Sequence, residues 1–474
     1  MASTSTAERT QSAPPIPAKQ TSPFIFWVGV LTIVFVAGNA TADFGAFPYP
    51  QLLAPAFRAA RAVRERFVTT SDLRNSSIWH DVGNAKRGVV KNIPERAFAG
   101  YTFYTSTDTQ GATLIDMEGN VVHRWHLNFR EAWTDAPHVP HPVPEQFIYW
   151  RRGHLYPNGD VLAIYSGFGD TPWGYGLIKV DRNSKLIWKY ADRVHHDLHV
   201  DTDGTIYTLS HDWRDTVKSP IEGMSQLNEI VLDDYVVQLS PEGELQKRIS
   251  LLDAFARSPS RHLLTPVDDS EWDPLHTNTI EVITPEFAAH HPFLKAGQVL
   301  VSCRDRDALA VLDLETESIV WATCGPYRRQ HDPDLLPNGN ILLFDNRGNA
   351  GPGGPSRILE IDPISQAIVW SYTGDESNSL YSRIRSCQQP LPNDNVLITE
   401  SDGCRLLEVT RAGEVVWEYR NPAQLENDAN YASTIFSAAR FTPESLSFPL
   451  EKNGETVATA NRANSTKNEV PLEE

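Results

Sequence analysis

One unit of sequence recurs six times along this chain, and a repeat of that size restricts the fold to architectures built by setting copies of one supersecondary unit side by side. Each copy reads as a turn such as PNG, an apolar strand, a second apolar strand ending near Asp, a Gly or Ser turn, and a strand of the form I/V-V/I-W-x-Y. The copies are ATLIDMEGNVVHRWHL; LYPNGDVLAIY with LIKVDRNSKLIWKY; VDTDGTIYTLS with YVVQLSPEGELQKRISL; KAGQVLVS with LAVLDLETESIVWAT; LLPNGNILLF with ILEIDPISQAIVWSY; and PLPNDNVLITE with LLEVTRAGEVVWEY. Units of roughly 45–70 residues made of short strands predict an all-β chain, a six-bladed β-propeller. The late-strand tryptophans Trp125, Trp188, Trp321, Trp370 and Trp417 are expected to pack blade on blade, and YASTIFSAARF is expected to supply the strand that completes the ring.

Ahead of the repeats the pattern changes. No charge occurs between Lys19 and Asp43, and residues 24–37 (FIFWVGVLTIVFVA) are densely apolar, which predicts an N-terminal hydrophobic helix. Two readings stay open: a signal segment cleaved after Ala40-Thr41-Ala42, or, favoured, an uncleaved membrane anchor through residues 24–42. The domain plan is therefore leader and anchor or signal segment at 1–42, a juxtamembrane helix (AFRAARAVRERF) and connector at 43–98, the propeller at 99–450, and a polar tail at 451–474.

Charge excludes one large class of partner. With 42 Lys+Arg against 60 Asp+Glu the formal net charge is −18, so neither a nucleic-acid backbone nor an anionic lipid surface is an expected main partner. Cys303, Cys324, Cys387 and Cys404 are too few for a disulfide scaffold and have no C-x-x-C spacing for zinc. Cys387 falls near the axis of the sixth blade, where it is either a small buried residue or a thiol or disulfide lining the site.

In a propeller, residues just ahead of the innermost strands converge on one end of the central channel. Counting back eight residues from the turn glycine places His196 before Gly204 and His331 before Gly339, with His276 at the corresponding place in the fourth blade. One histidine there is ordinarily a core residue; three in register predict a site. The sequences HHD at 195–197, LHTN at 275–278 and QHD at 330–332 offer neighbours able to fix each tautomer, and Arg304 follows the strand VLVSC. A metal held by His195, His196 and His199 is disfavoured because no Glu or Cys at ligand spacing accompanies them and the arginine would repel a cation, and His138-x-x-His141 reads as part of an extended Pro-rich rim loop rather than a metal pair. The loop GNAGPGGP at 348–355 reads as a rim loop or lid.

At these residues the sequence resembles the bacterial arylsulfotransferases, enzymes that need no PAPS and move a sulfuryl group from one phenol to another. The elements HHDLHVDTDG, DPLHTNTIEV, LVSCRDRD and QHDPDLLPNGNILLFDN carry the resemblance, which spans roughly residues 100–445. It implies a six-bladed propeller, no cofactor and no metal. By motif match it implies His331 as the nucleophile that becomes sulfohistidine, His196 and His276 as assisting histidines, Arg304 as the sulfate-binding arginine, and Asn278 with His196 and Arg304 in substrate binding. An aryl sulfate donor and a phenolic acceptor are the implied partners, and the implied location is the periplasmic side of a membrane. Better-known members carry an N-terminal β domain where this chain has the apolar segment and about 55 residues, which reads as a shorter branch. The rival is a membrane-tethered propeller that binds a protein or anion without chemistry.

Overall fold

The computed structural model describes residues 23–43, 72–224, 227–265, 272–346, 355–375 and 378–450. The chain divides into two compact units, residues 1–68 and 69–474. The first holds the helix Pro23–Asp43, on which Leu31, Ile33, Val34 and Phe35 are exposed. Its polar side chains bond back to the helix: Thr32 Oγ1 donates to Val28 O and Asn39 Nδ2 to Phe35 O. Among the described residues no helix is long and apolar enough to cross a membrane, so the span expected over residues 24–42 gains no support from the structure. The expected juxtamembrane helix, nearly all of the loop 348–355 and the tail lie outside the described residues.

The second unit is built of successive antiparallel sheets, as period-2 apolar strands with tight Gly turns dictate. In chain order the innermost strands are Ile148–Leu155, Val194–Val200, Thr277–Val282, His331–Leu335 and Cys387–Pro390, each opening a sheet of four strands or, for the last, five. The sheet that comes first in sequence, Tyr101–Ser106 with Gly111–Ile115 and Val121–His126, takes its innermost strand from the C-terminal segment Ile435–Phe441, which pairs with Tyr101–Ser106 from Tyr101↔Phe441 onward. Each innermost strand lies against that of the next sheet, and Cys387–Pro390 lies against Ile435–Phe441. The arrangement is mostly β and propeller-like.

Sequence placed the connector at 43–98, yet two of its segments join the sheets. Gly88–Asn92 pairs with Val415–Arg420 as the fifth strand of the last sheet, and Trp79–Asp81 pairs with Asp428–Ser433 in a small separate sheet. Both are short strands, and neither carries the full I/V-V/I-W-x-Y pattern, which is why the repeat passes over them.

The recurring tryptophans lock sheet to sheet through the neighbouring turn. Trp125 Nε1 donates to Gly159 O, Trp370 Nε1 to Arg411 O and Trp417 Nε1 to Met117 O, each a turn of the adjacent sheet. Trp188 lies against Gly243, whose left-handed backbone (φ +85) closes the turn of the sheet beyond. An indole N–H that finds a carbonyl lets a large apolar ring be buried without an orphaned donor.

Candidate active site

Four consecutive innermost strands are bulged at the same end. The register slips between Trp150 and Arg152, between His195 and Leu198, between Thr277 and Thr279, and between His331 and Asp334. A bulge re-aims side chains: Arg151 and His196 lie within these bulges, His276 and His331 flank theirs, and all four line one cavity of about 190 Å³ that Arg304 also lines. The three histidines are not equivalent residue for residue, as counting from the turn glycine implied. The left-handed positions are His196 (φ 59), His276 (φ 47) and, in the third case, Asp332 (φ 51), the residue after His331. Each bulge has two residues between its paired positions, but His195–Leu198 sets them against none on the partner strand and His331–Asp334 against one, Leu343, which explains the offset.

His331 presents a defined ring edge. Asn346 Nδ2 donates to Ser382 O (3.1 Å) and Arg385 O (2.8 Å), so its Oδ1 must face the imidazole. His331 Nδ1–H donates to that oxygen at 2.7 Å and to Arg329 O at 3.1 Å, leaving Nε2 as the nitrogen with a lone pair. The Arg385 backbone N–H donates to Nε2 at 3.3 Å, a long bond that a reacting group displaces. Burial first and the Arg304 charge second hold the ring well below its ordinary pKa of 6.5, so it is neutral at pH 7.

His276 has both ring nitrogens engaged. Nδ1–H donates to Asp273 Oδ2 at 2.5 Å, and Arg304 Nη1 donates to Nε2 at 2.7 Å. Burial, then Arg304, brings its pKa down to about 3. Arg304 also pairs with Asp305 at 2.9 Å, so its guanidinium is fixed by a histidine and a carboxylate rather than lying in a surface ion pair. His196 contacts His195 through the two Nδ1 atoms (2.7 Å), and burial followed by Arg151 keeps it neutral. The Trp173 ring covers this group, its centroid 5.2 Å from His276 and 5.7 Å from His196.

Asn278 stands apart from the cavity that holds the histidines. Its Nδ2 donates to Gln330 O at 2.8 Å, tying two innermost strands, and it lines a narrower inner cavity of about 30 Å³ that shares Arg151, His196, His331 and Arg385 with the outer one. The acidic neighbours in HHD and QHD do not set tautomers either. Asp197 and Asp332 both pair with Arg152, at 2.8 and 3.1 Å, because the bulge sends successive side chains to opposite sides. Asn346 and Asp273 take the orienting role instead. Cys387 lines the inner cavity as a thiol pushed up to about 12 by burial, and among the described residues all four cysteines are free.

Two groups among the described residues gather three potential metal-ligand atoms: His195, His211 and Asp234, and Asp273, His276 and Asp305. The rings of His195 and His211 stack (4.1 Å, 25° between planes), so their lone pairs lie in nearly parallel planes rather than meeting at a point. In the second group the Arg304 guanidinium already occupies His276 Nε2. Sequence reasoning did not find Arg151, Arg385, Asn346, Asp273 or Trp173 in the site. Arg151 was accessible in principle, since it occupies on Ile148–Leu155 the bulge that carries a histidine elsewhere.

Comparison with known proteins gives one family. The arylsulfotransferase (ASST) family profile matches residues 154–422, which contain all of His196, His276, Arg304 and His331. No curated protein matches the chain. Among solved structures the chain is similar to a protein of unknown function from Bacteroides caccae (11% identity, 71% of this chain and 99% of that one, TM-score 0.45). It is also similar to a catalytically inactive virginiamycin B lyase from Staphylococcus aureus (12%, 60% and 73%, TM-score 0.33). A third is the β-propeller domain of Cps50 (Swd1) from Myceliophteria thermophila (12%, 71% and 87%, TM-score 0.39).

Proposed function

Since the chain belongs to the arylsulfotransferase family, we propose that it moves a sulfuryl group from an aryl sulfate ester to a phenolic acceptor through a sulfohistidine at His331, in the channel of a six-bladed propeller. The observation that carries the reading is the orientation of His331: Nδ1–H is committed to Asn346 and Arg329 O, and Nε2 is an unprotonated nitrogen in a cavity beside a fixed guanidinium.

A sulfate monoester spreads one negative charge over three oxygens, and its transfer, like that of a phosphoryl group, calls mainly for positioning and charge stabilisation. Arg304 supplies the fork for two of those oxygens. Nε2 of His331 attacks sulfur in line; the N–S bond forms as the S–O bond to the ring breaks, and the bonding pair leaves on the phenolate oxygen. The phenolate takes its proton from water, and neutral His196 steadies the developing oxyanion through a hydrogen bond rather than by proton transfer. A second phenol, losing its proton along the same route, then accepts the sulfuryl group and restores His331. His276 acts by holding Arg304, since its Nε2 accepts from that side chain and its Nδ1–H is spent on Asp273.

The test is nitrophenol release from 4-nitrophenyl sulfate by the full chain, with and without phenol, and mass mapping of the sulfuryl adduct. Phenol-dependent release with the adduct on His331, both abolished in a folded His331→Asn variant, is the expected result. Release that survives in His331→Asn removes the nucleophile assignment, and no release across a panel of aryl sulfates shifts the weight to a propeller that binds without chemistry.

A further inference from the structure

Three arginines line the cavity, and the proposed transfer uses only Arg304. Arg151 and Arg385 bring their guanidinium groups to 5.1 and 4.9 Å from one ring, that of Phe436, which is itself stacked on Tyr149 at 4.6 Å. Like charges gathered at one buried ring repel, and each arginine is pushed down by burial, Arg151 to about 10 with Arg385 among the causes.

Neither arginine has an acidic counterpart. Arg385 spends its Nη atoms on Ser77 O and Ser77 Oγ, and its buried Nε has no partner. Among the described residues no carboxylate lies within ion-pair distance of either group. The carboxylates whose charge reaches them are placed elsewhere: Asp197 pairs with Arg152 at 2.8 Å, and Asp402 accepts the Arg383 N–H at 2.9 Å. Arg304, by contrast, is already paired with Asp305.

The backbone goes out of its way to put Arg385 there. Arg385 and Ser386 are successive left-handed residues (φ 68 and 77), a conformation that side-chain-bearing residues seldom adopt once and rarely twice running. Asn346 Nδ2 holds the Arg385 carbonyl and Ser401 Oγ accepts from the Ser386 N–H, so the strain is built in by specific bonds. Arg151 is likewise delivered by a bulge. Two independent backbone distortions that converge on one aromatic face two guanidinium groups with neutral partners but no carboxylate describe a receptor for an oxyanion.

We propose that Arg151 and Arg385 bind a second anionic group on the aromatic substrate, a ring carboxylate or second sulfate, while the sulfuryl group to be transferred lies at Arg304 and His331. The substrate class is then a dianionic aryl sulfate rather than a simple phenyl sulfate. This rests on the sulfuryl-transfer reading for the role of Arg304, and its test is chosen so that the two can fail separately.

Aryl sulfonates mimic the ester but cannot transfer, so they report binding without turnover. Calorimetry of the full chain with 4-sulfobenzoate, 3-sulfobenzoate and 1,3-benzenedisulfonate against benzenesulfonate is expected to show about tenfold tighter binding of at least one dianion. The two kinds of dianion separate a carboxylate from a second sulfate as the recognised group. The preference should shrink below about threefold in Arg151→Gln and Arg385→Gln, and partly persist in Arg385→Lys, which keeps the charge and loses the fork. Equal wild-type binding of monoanion and dianions overturns the proposal, as does a preference that survives both glutamine variants, or one in which monoanion and dianion weaken together. A dianion preference without any sulfuryl transfer would leave this inference standing and sink the transferase reading.

Discussion

At the scale of single residues the site depends on histidines that stay neutral. The sign follows from the direction of the shift. Burial and Arg304 depress His331, so the unprotonated Nε2 is present above a lowered pKa and lost only as pH falls through it. The acid limb of kcat/KM, which reports the free enzyme, should therefore lie well below the ordinary 6.5. Arg304→Gln removes one of the two leading causes and should move that limb upward toward 6.5 while lowering the rate at every pH. A wild-type limb at or above 6.5, read from initial rates with an aryl sulfate donor, would contradict the electrostatic account. The identities His196, His276, Arg304 and His331 were legible because motif and register carry residue types. Their orienting partners were not. Asn346 lies fifteen positions from His331 in an ordinary FDN strand end, and only the fold brings its amide to the ring.

At the scale of elements the sequence exposed the repeat but not how each copy grips the next. The recurring Trp was readable as packing; that it caps the neighbouring turn was not, because the contact joins one repeat's strand to another's loop. Gly243 tests this. Gly243 (φ +85) and Gly297 (φ +86) share one backbone strain, but an added Cβ at Gly243 would fall 2.6 Å from the Trp188 ring, whereas at Gly297 nothing lies within 4 Å. Gly297→Ala should cost about 1–2 kcal/mol, the left-handed penalty alone. Gly243→Ala should cost clearly more, with an additional overpacking term of about 1–3 kcal/mol. Urea unfolding compares them directly, and equal losses would mean that Trp188 does not seat on that turn. The bulges show the other limit of pattern reading. A one-residue difference in what the partner strand sets against each bulge leaves the apolar pattern intact yet shifts which residue takes the left-handed position, so counting from a glycine finds the cavity but not the exact alignment of its histidines.

At the scale of the whole molecule the chain must bring its end back to its beginning, and a single side chain concentrates that task. Arg440, on Ile435–Phe441, donates from Nε to Thr102 Oγ1 at 2.6 Å, across 338 residues of sequence. Its Nη1 reaches Phe98 O at 2.6 Å and Glu408 Oε2 at 3.2 Å, and its guanidinium lies over the Trp417 ring at 4.5 Å. Three segments distant in sequence thus meet at one cation, with no solvent exposure on the side chain of either Arg440 or Glu408. Burial lowers Arg440 to about 10, which leaves it charged at pH 7. A buried pair of this kind owes little net stability to its Coulomb attraction, because both charges were desolvated to form it; removing one partner is what costs, at about 3–5 kcal/mol. Arg440→Met should therefore destabilise the protein by that amount. Glu408 would keep its bonds from the Phe98 N–H and Asn395 Nδ2 but lose its counter-charge. Adding Glu408→Gln removes the stranded charge while keeping an acceptor for the Phe98 N–H, and should recover more than half of the loss. Denaturant titration of the two variants separates the explanations. If the double variant is no better than the single, Arg440 holds the ends together through its contacts with Thr102, Phe98 and Trp417, and the ion pair with Glu408 is incidental to closure.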